Sequence, residues 1–205
     1  MNMNAKEIAF TAIMGALGLI LSTLSLSMAP ILSSVGQGGA ALDLSHIATF
    51  IAAIFGGPYV GALVGFIGGI YAGYYFGYVL GSLGLLSLIG IPFGKALTGL
   101  TAGFVYNKLK INNRRNSSLL TTLIVLVSYI PECVFTIVYF LYIVAFVYGY
   151  AMSFMIPIVI PKAWIEIAVM SVIMGALAEN SGFKGFILKF FTKTSEHQLK
   201  TQRFP

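Results

Sequence analysis

The sequence predicts an all-α membrane protein with six transmembrane helices and both termini in the cytoplasm. Three observations support this fold class: 58% of the 205 residues are hydrophobic, only 9% are charged, and the apolar runs are continuous. A soluble domain usually contains about 25% charged residues, and it could not bury this much apolar surface. Continuous runs favour helices over a membrane barrel, because barrel strands alternate apolar and polar residues.

Six apolar runs along the chain are candidate membrane spans, since a helix needs about 20 apolar residues to cross the hydrocarbon core. The second and fourth runs are shorter than this length. The runs cover roughly residues 8–28, 43–57, 59–80, 92–107, 119–146 and 158–180.

Basic residues set the predicted orientation of these spans. Nine of the twelve Lys and Arg residues fall within 107–118 or after residue 181, and Lys6 is a tenth. The loops between spans 1 and 2, 3 and 4, and 5 and 6 contain no Lys or Arg; they cover about residues 29–42, 81–91 and 147–157. The positive-inside rule therefore places the basic segments in the cytoplasm. It also accounts for the net charge of +6 without a nucleic-acid partner.

The domain organisation follows from the same segments. Residues 1–180 are predicted to form a single six-helix transmembrane domain, with helices 1–4 in 1–107 and helices 5 and 6 in 119–180. A basic cytoplasmic linker, 108–118, joins the two parts, and 181–205 form a basic cytoplasmic tail. The expected localisation is the cell membrane, with multiple passes.

Polar side chains within the predicted spans gather on the outer side. Glu132 lies 13 residues into the fifth span, about 20 Å from its inner end at 1.5 Å per residue. Ionisable groups at membrane depth are costly and mark candidate binding sites. Because only Glu179 lies at an inner end, the distribution favours a capture pocket over a complete ion pathway. The candidate substrate-binding residues are Gln37, Asp43, Lys95, Glu132, Tyr139, Lys162 and Glu166.

Simpler roles remain open for several of these residues. Lys95 and Lys162 could extend to the outer interface, as long basic side chains often do. Lys162 could also neutralise Glu166 one turn away. Asp43 could cap the second helix, and His46 could be a satisfied histidine between helices. Glu132 follows Pro131, which frees a backbone carbonyl and kinks a helix.

Motifs for common enzyme chemistry are absent from the sequence. It contains no GxxxxGK[ST], no HExxH and no paired acidic motif for metal-bound diphosphates. The single cysteine, Cys133, excludes an internal disulfide and a cysteine-built zinc site, and it is expected to be buried. We therefore expect no catalytic residues, no cofactor and no metal. If transport is energised, another protein must supply the energy.

Glycine occupies every fourth position of "GALVGFIGGIYAGYYFG", residues 61–77. Small residues at this spacing let helix backbones approach closely in a membrane. Four residues advance about 400°, so the row forms a slanted groove. We expect it to pack against helix backbone, mainly that of the first two helices, on the half of the molecule that lacks the pocket. Similar positions are Ala5, Ala9, Ala12 and Ala16 in the first span, and Gly99 and Gly103 in the fourth.

Two segments resemble a known family. "ALDLSHIATFIAAIFGGPYVGALVGFIGG", residues 41–69, resembles the second and third helices of the S components of energy-coupling factor (ECF) vitamin transporters. "GKALTGLTAGFVYNKL", residues 94–109, resembles the fourth helix and its basic exit. Ala12 and Ala16 match the AxxxA motif of the first helix. The resemblance covers about residues 5–180.

The resemblance implies a function. An S component captures a vitamin or related micronutrient from outside and docks through helices 1–3 on a transmembrane T component that carries two cytoplasmic ATPases. Family pockets are built from the first outer loop and helices 4–6. The "DLS" start of the second helix and a lysine near the start of the sixth make riboflavin a candidate cargo. The implied docking residues are Ala9, Ala12, Ala16, Gly61 and Gly65.

Two other functions stay open on the sequence. One is a subunit of a membrane enzyme complex that acts on lipids or isoprenoids. The other is a small carrier or scaffold that works alone. Uptake without any ATPase would favour the second, and lipid turnover dependent on Glu132 would favour the first.

Overall fold

The computed structural model describes residues 3–27, 43–81, 83–111 and 116–190, and all the regular structure in these ranges is helical. Within these ranges, six helices before residue 180 form the bundle, and residues 181–190 are helical as well. The six helices are α1 (Ala5–Ser27), α2 (Ser45–Gly56), α3 (Pro58–Tyr74), α4 (Leu85–Lys108), α5 (Ser117–Tyr148) and α6 (Ser153–Glu179).

Five of these helices are long and apolar enough to cross a membrane, and α2 is the exception. It has 12 residues, which span about 18 Å at 1.5 Å per residue. Nine of its residues are buried, Phe50 completely so. The second predicted run is therefore a short helix enclosed by its neighbours, with little surface left for lipid.

The fourth helix differs from its prediction, because α4 begins at Leu85 rather than near residue 92. Pro92 lies inside the helix, where the sequence pattern indicated its start. Prolines are tolerated within membrane helices when neighbouring groups satisfy the freed backbone carbonyl. The predicted outer connection 81–91 is correspondingly shorter in the structure.

Two helices contain π-helical turns near the same end of the bundle. The helix α3 continues into a π turn at Tyr75–Val79, and α5 contains another at Tyr139–Ile143. Regular helix in α5 is also interrupted at Tyr129, two residues before Pro131. Such turns often occur at functional sites, because they redirect side chains out of helical register.

The glycine row lies against α4. A methyl group added at Gly61 would be 2.7 Å from the Gly99 carbonyl oxygen, and one added at Gly73 would be 2.7 Å from the Ser87 carbonyl oxygen. The remaining row positions, Gly65, Gly69 and Gly77, also face α4 backbone or the residue just before it. The prediction of packing against helix backbone is thus confirmed.

The predicted partners of the row were partly wrong. Gly61 and Gly65 also meet α2, at Ala53 and Thr49, whereas α1 contacts α3 through Gly18 and Gly68, which lies outside the row. Nor does the row stay away from the pocket end, since α3 residues near its end line the cavity described below. Glycine spacing predicts a close approach but does not identify the helix that approaches.

This packing also corrects part of the predicted docking surface. Gly61 and Gly65 are buried beneath the α4 backbone, so they offer no surface to a partner subunit. Ala9, Ala12 and Ala16 are exposed on the outer face of α1.

The predicted tail begins with packed structure. Residues 181–190 are helical, and Ile187 is buried among the core residues. The rings of Phe183 and Phe55 lie 5.9 Å apart between centroids, as do those of Phe190 and Phe10. The first ten residues of the predicted tail therefore pack against the N-terminal end of α1 and the C-terminal end of α2.

Candidate substrate-binding site

A cavity of about 820 Å³ lies at one end of the bundle. The C-terminal ends of α1 and α3, the N-terminal ends of α2, α4 and α6, and the middle of α5 surround it. Its described lining combines apolar and aromatic side chains with charged groups of both signs.

A first cluster of charged side chains in the lining connects α2, α4 and α6. Lys95 is 3% exposed, and its ammonium donates to the Asp43 carboxylate and the Ser45 hydroxyl. Asp43 also accepts the Ser45 backbone N–H at 3.1 Å, so it binds the first turn of α2 as well as Lys95. Its own N–H donates to Glu166 Oε1 at 3.0 Å, and Lys162 Nζ lies 3.4 Å from that oxygen.

A second cluster of polar side chains surrounds the Glu132 carboxylate of α5. Its Oε2 accepts the Thr98 hydroxyl and lies 3.3 Å from Nε2 of His46. All three residues are buried. The other ring nitrogen of His46, Nδ1, has no hydrogen-bond partner among the described residues. Glu132 therefore joins α2, α4 and α5 at the cavity wall.

Two glycines of α4 give α5 side chains room beside the cavity. A methyl group at Gly90 would lie 2.8 Å from Cζ of Tyr139, and one at Gly94 would lie 3.3 Å from Cγ of Glu132. Substituting either glycine would displace the α5 side chain that rests on it. These glycines shape the cavity wall.

The structure gathers most of the candidate residues at this cavity. Gln37 falls outside the described residues. Lys95 is enclosed, so it does not extend to the interface, whereas Lys162 forms the expected pair with Glu166. His46, interpreted from sequence as a possible packing residue, also lines the cavity. The candidates on its wall are Asp43, Lys95, Glu132, Tyr139, Lys162 and Glu166.

The aromatic wall was largely missed from sequence. Part of this wall has a signal in the sequence: the two π turns have the related sequences "YFGYV" and "YFLYI", which supply Tyr–Phe pairs. Each places a Tyr–Phe pair on the cavity, which brings α3 into the site in addition to helices 4–6. The aromatic lining residues are Tyr75, Phe76, Tyr129, Phe135, Tyr139 and Phe140.

The cavity lies at the end of the bundle opposite to most of the described basic residues. Lys6 begins α1 and Lys108 ends α4, whereas the cavity is lined by the other ends of these helices. Lys184 follows α6 at that same basic end. The positive-inside rule assigns such a basic end to the cytoplasm, which predicts that the cavity faces the outside.

Exposed apolar helices around an internal cavity with buried charged groups define a membrane protein that binds a small molecule. The family comparison makes this class specific: the model for the substrate-specific component of ECF transporters matches residues 6–178. The chain therefore belongs to this family of membrane transport subunits, as the sequence resemblance indicated. No match was found among curated proteins or among solved structures.

Proposed function

We propose that this protein is the S component of an ECF-type transporter in the cell membrane. It captures a vitamin or related micronutrient from outside and delivers it by docking on a T component with two ATPases. The observation that carries the proposal is the cavity of about 820 Å³, which combines aromatic walls with buried charged groups. This volume lies within the range of about 300–1,000 Å³ typical of small-molecule sites.

The distribution of polar groups supports capture at one side of the membrane. Within the described parts of the helices, Asp43, Lys95, Glu132, Lys162 and Glu166 all line the outward-facing cavity. Towards the other end, α3 and α4 are in backbone contact at Gly61 and Gly99. This contact leaves a bound molecule no route between α3 and α4, which is consistent with release through a rearrangement that a powered partner drives.

The exposed alanines of α1 support a docking role. Ala9, Ala12 and Ala16 occupy one side of the helix and carry the smallest side chains that still favour helix formation. Small residues allow another membrane helix to approach closely. The proposed docking surface therefore consists of these α1 alanines and no longer includes Gly61 and Gly65.

Binding by the isolated protein is the direct test. Trp164 is the sole tryptophan, and its ring lies edge-on to Tyr129 with centroids 5.1 Å apart. Because Tyr129 lines the cavity, a bound micronutrient should change Trp164 fluorescence. We expect one member of a vitamin panel that includes riboflavin to bind with nanomolar to micromolar affinity. Mass spectrometry of molecules released from the purified protein should identify the same compound, and a protein that binds none would contradict capture.

Docking is tested separately by Ala16→Trp. The bulky ring should block assembly with the T component and abolish uptake, while ligand binding by the isolated protein stays unchanged. Ala176→Trp is the matched control, because Ala176 is also exposed but lies on α6. Loss of binding with normal assembly would refute the docking role. Uptake without an ATPase would indicate a solitary carrier, and lipid turnover dependent on Glu132 an enzyme complex.

A further inference from the structure

The charges that line the cavity do not balance. Three carboxylates, those of Asp43, Glu132 and Glu166, face two ammonium groups, those of Lys95 and Lys162. Residues 28–42, which connect α1 to α2 at this end, contain no Asp, Glu, Lys or Arg. That connection therefore cannot change the sum, and the site carries one excess negative charge when His46 is neutral.

Both ammonium groups already have carboxylate partners. Lys95 binds Asp43 and the Ser45 hydroxyl while almost fully enclosed. Lys162 lies 3.4 Å from Glu166. Lys95 cannot turn towards an anionic ligand without leaving the Asp43 carboxylate, whose side chain is 13% exposed, without its cation, which is costly at such a position. Lys162 would have to give up its contact with Glu166.

Glu132 is the carboxylate that remains. Its recorded partners are the hydroxyl of Thr98 and the imidazole of His46, which are both neutral donors when the histidine is uncharged. Its side chain is 12% exposed, and it lies on the cavity wall. A bound group could therefore reach this carboxylate from the cavity.

The aromatic wall favours the same kind of ligand. Rings from α3 and α5 line the cavity, and Tyr129 lies one helical turn from Glu132. The faces of aromatic rings attract cations, by about 0.5–2 kcal/mol according to how far the pair is desolvated. The Glu132 carboxylate and the aromatic ring faces thus both attract a positively charged ligand.

We propose that the cargo of this protein carries a positive charge, and that Glu132 selects it. The inference rests on the proposed capture function and specifies its substrate class: a cationic heterocycle or amine, whose charged nitrogen lies against Glu132 while its apolar part packs on the aromatic wall. The paired lysines hold the cavity in shape and leave the ligand's charge to Glu132.

Three probes with the same ring test this proposal: 1-methylnicotinamide is a cation, nicotinamide is neutral and nicotinate is an anion at pH 7. Their affinities for the full chain in detergent can be measured by Trp164 fluorescence and by calorimetry. We expect 1-methylnicotinamide to bind at least tenfold more tightly than nicotinamide, and nicotinate most weakly. Glu132→Gln should remove the preference, whereas Glu179→Gln, an exposed carboxylate at the other end of α6, should keep it.

The outcomes separate this proposal from the proposed function. Equal or tighter binding of nicotinamide or nicotinate would overturn the charge preference and leave capture standing, because the protein would still bind a small molecule. Failure of all three probes to bind would overturn the charge proposal, and capture itself only if the vitamin panel also fails. The compound released from the purified protein gives a second measurement, independent of any variant. A neutral or anionic compound contradicts the proposal, and a cationic one supports it.

Discussion

The α3–α4 interface and the part of the cavity wall where α4 meets α5 use glycine for different purposes. At Gly61 and Gly99, each glycine faces the backbone of the other helix, so the two helices touch without side chains between them. At Gly90 and Gly94, α4 instead faces the side chains of Tyr139 and Glu132 on α5, which line the cavity. One face of α4 packs directly on the α3 backbone, and another face forms part of the cavity wall.

Lys95 belongs to both regions. Its backbone carbonyl lies against Gly65 in the packed interface, while its ammonium binds Asp43 at the cavity. The packed interface thus fixes the position of one charged group of the site. If this division is correct, changes at the two faces of α4 should differ in kind and in size.

The largest effect is expected for Lys95→Met. Methionine removes the ammonium and leaves the Asp43 carboxylate without a cation at a site where its side chain is only 13% exposed. Breaking a buried ion pair costs about 3–5 kcal/mol. Unfolding in mixed micelles would measure this loss of stability. Adding Asp43→Asn to Lys95→Met should recover most of it, and an unrecovered loss would show that packing of the lysine stem dominates.

A somewhat smaller effect is expected for Gly99→Ala in the packed interface. The added methyl group would overlap the Gly61 carbonyl, which belongs to backbone and cannot rotate away. Overpacking of this kind costs about 2–3 kcal/mol. Gly185→Ala is the control, because a methyl group there meets nothing within 4 Å among the described atoms. Similar melting temperatures for the two variants would contradict the rigid interface.

The sequence predicts the general fold because its signals are local. Hydrophobic runs place the helices, and the basic residues give the end at which the cavity lies. The start of α4 was misplaced, since Pro92 is a helix boundary in most sequence contexts and is accommodated here against Gly69 of α3. The main partner of the glycine row is α4 rather than the first two helices for a related reason: helix pairing is a tertiary property that spacing alone does not encode.

The site was predictable to the extent that charge is rare in a membrane. The sequence placed Glu132, Lys95 and Glu166 on the outer side of the predicted spans, and the cavity gathers them. Of the ion pairs, only Lys162–Glu166 was predictable, because these residues lie one helical turn apart. Asp43 and Lys95 are separated by 52 residues in the sequence, so their pairing depends on the fold. Aromatic wall residues such as Phe135 look like lipid-facing residues in sequence, and only the fold turns them inward.

The smallest effect, and the sharpest check on the comparison, is expected for Lys162→Gln. Like Lys95, Lys162 pairs with a carboxylate on the cavity wall, but its side chain is 27% exposed and the pair is 3.4 Å long. Partly exposed pairs contribute about 0.5–1 kcal/mol and weaken as salt is raised. Glu166 also keeps the Asp43 N–H at 3.0 Å after the substitution, so its charge stays hydrogen-bonded. Unfolding measured at low and high salt should show a small loss that shrinks with salt. A loss as large as that of Lys95→Met would mean that the Lys162–Glu166 pair on α6 is as enclosed as the Lys95–Asp43 pair, and the expected difference between the two ion pairs of the cavity wall would be wrong.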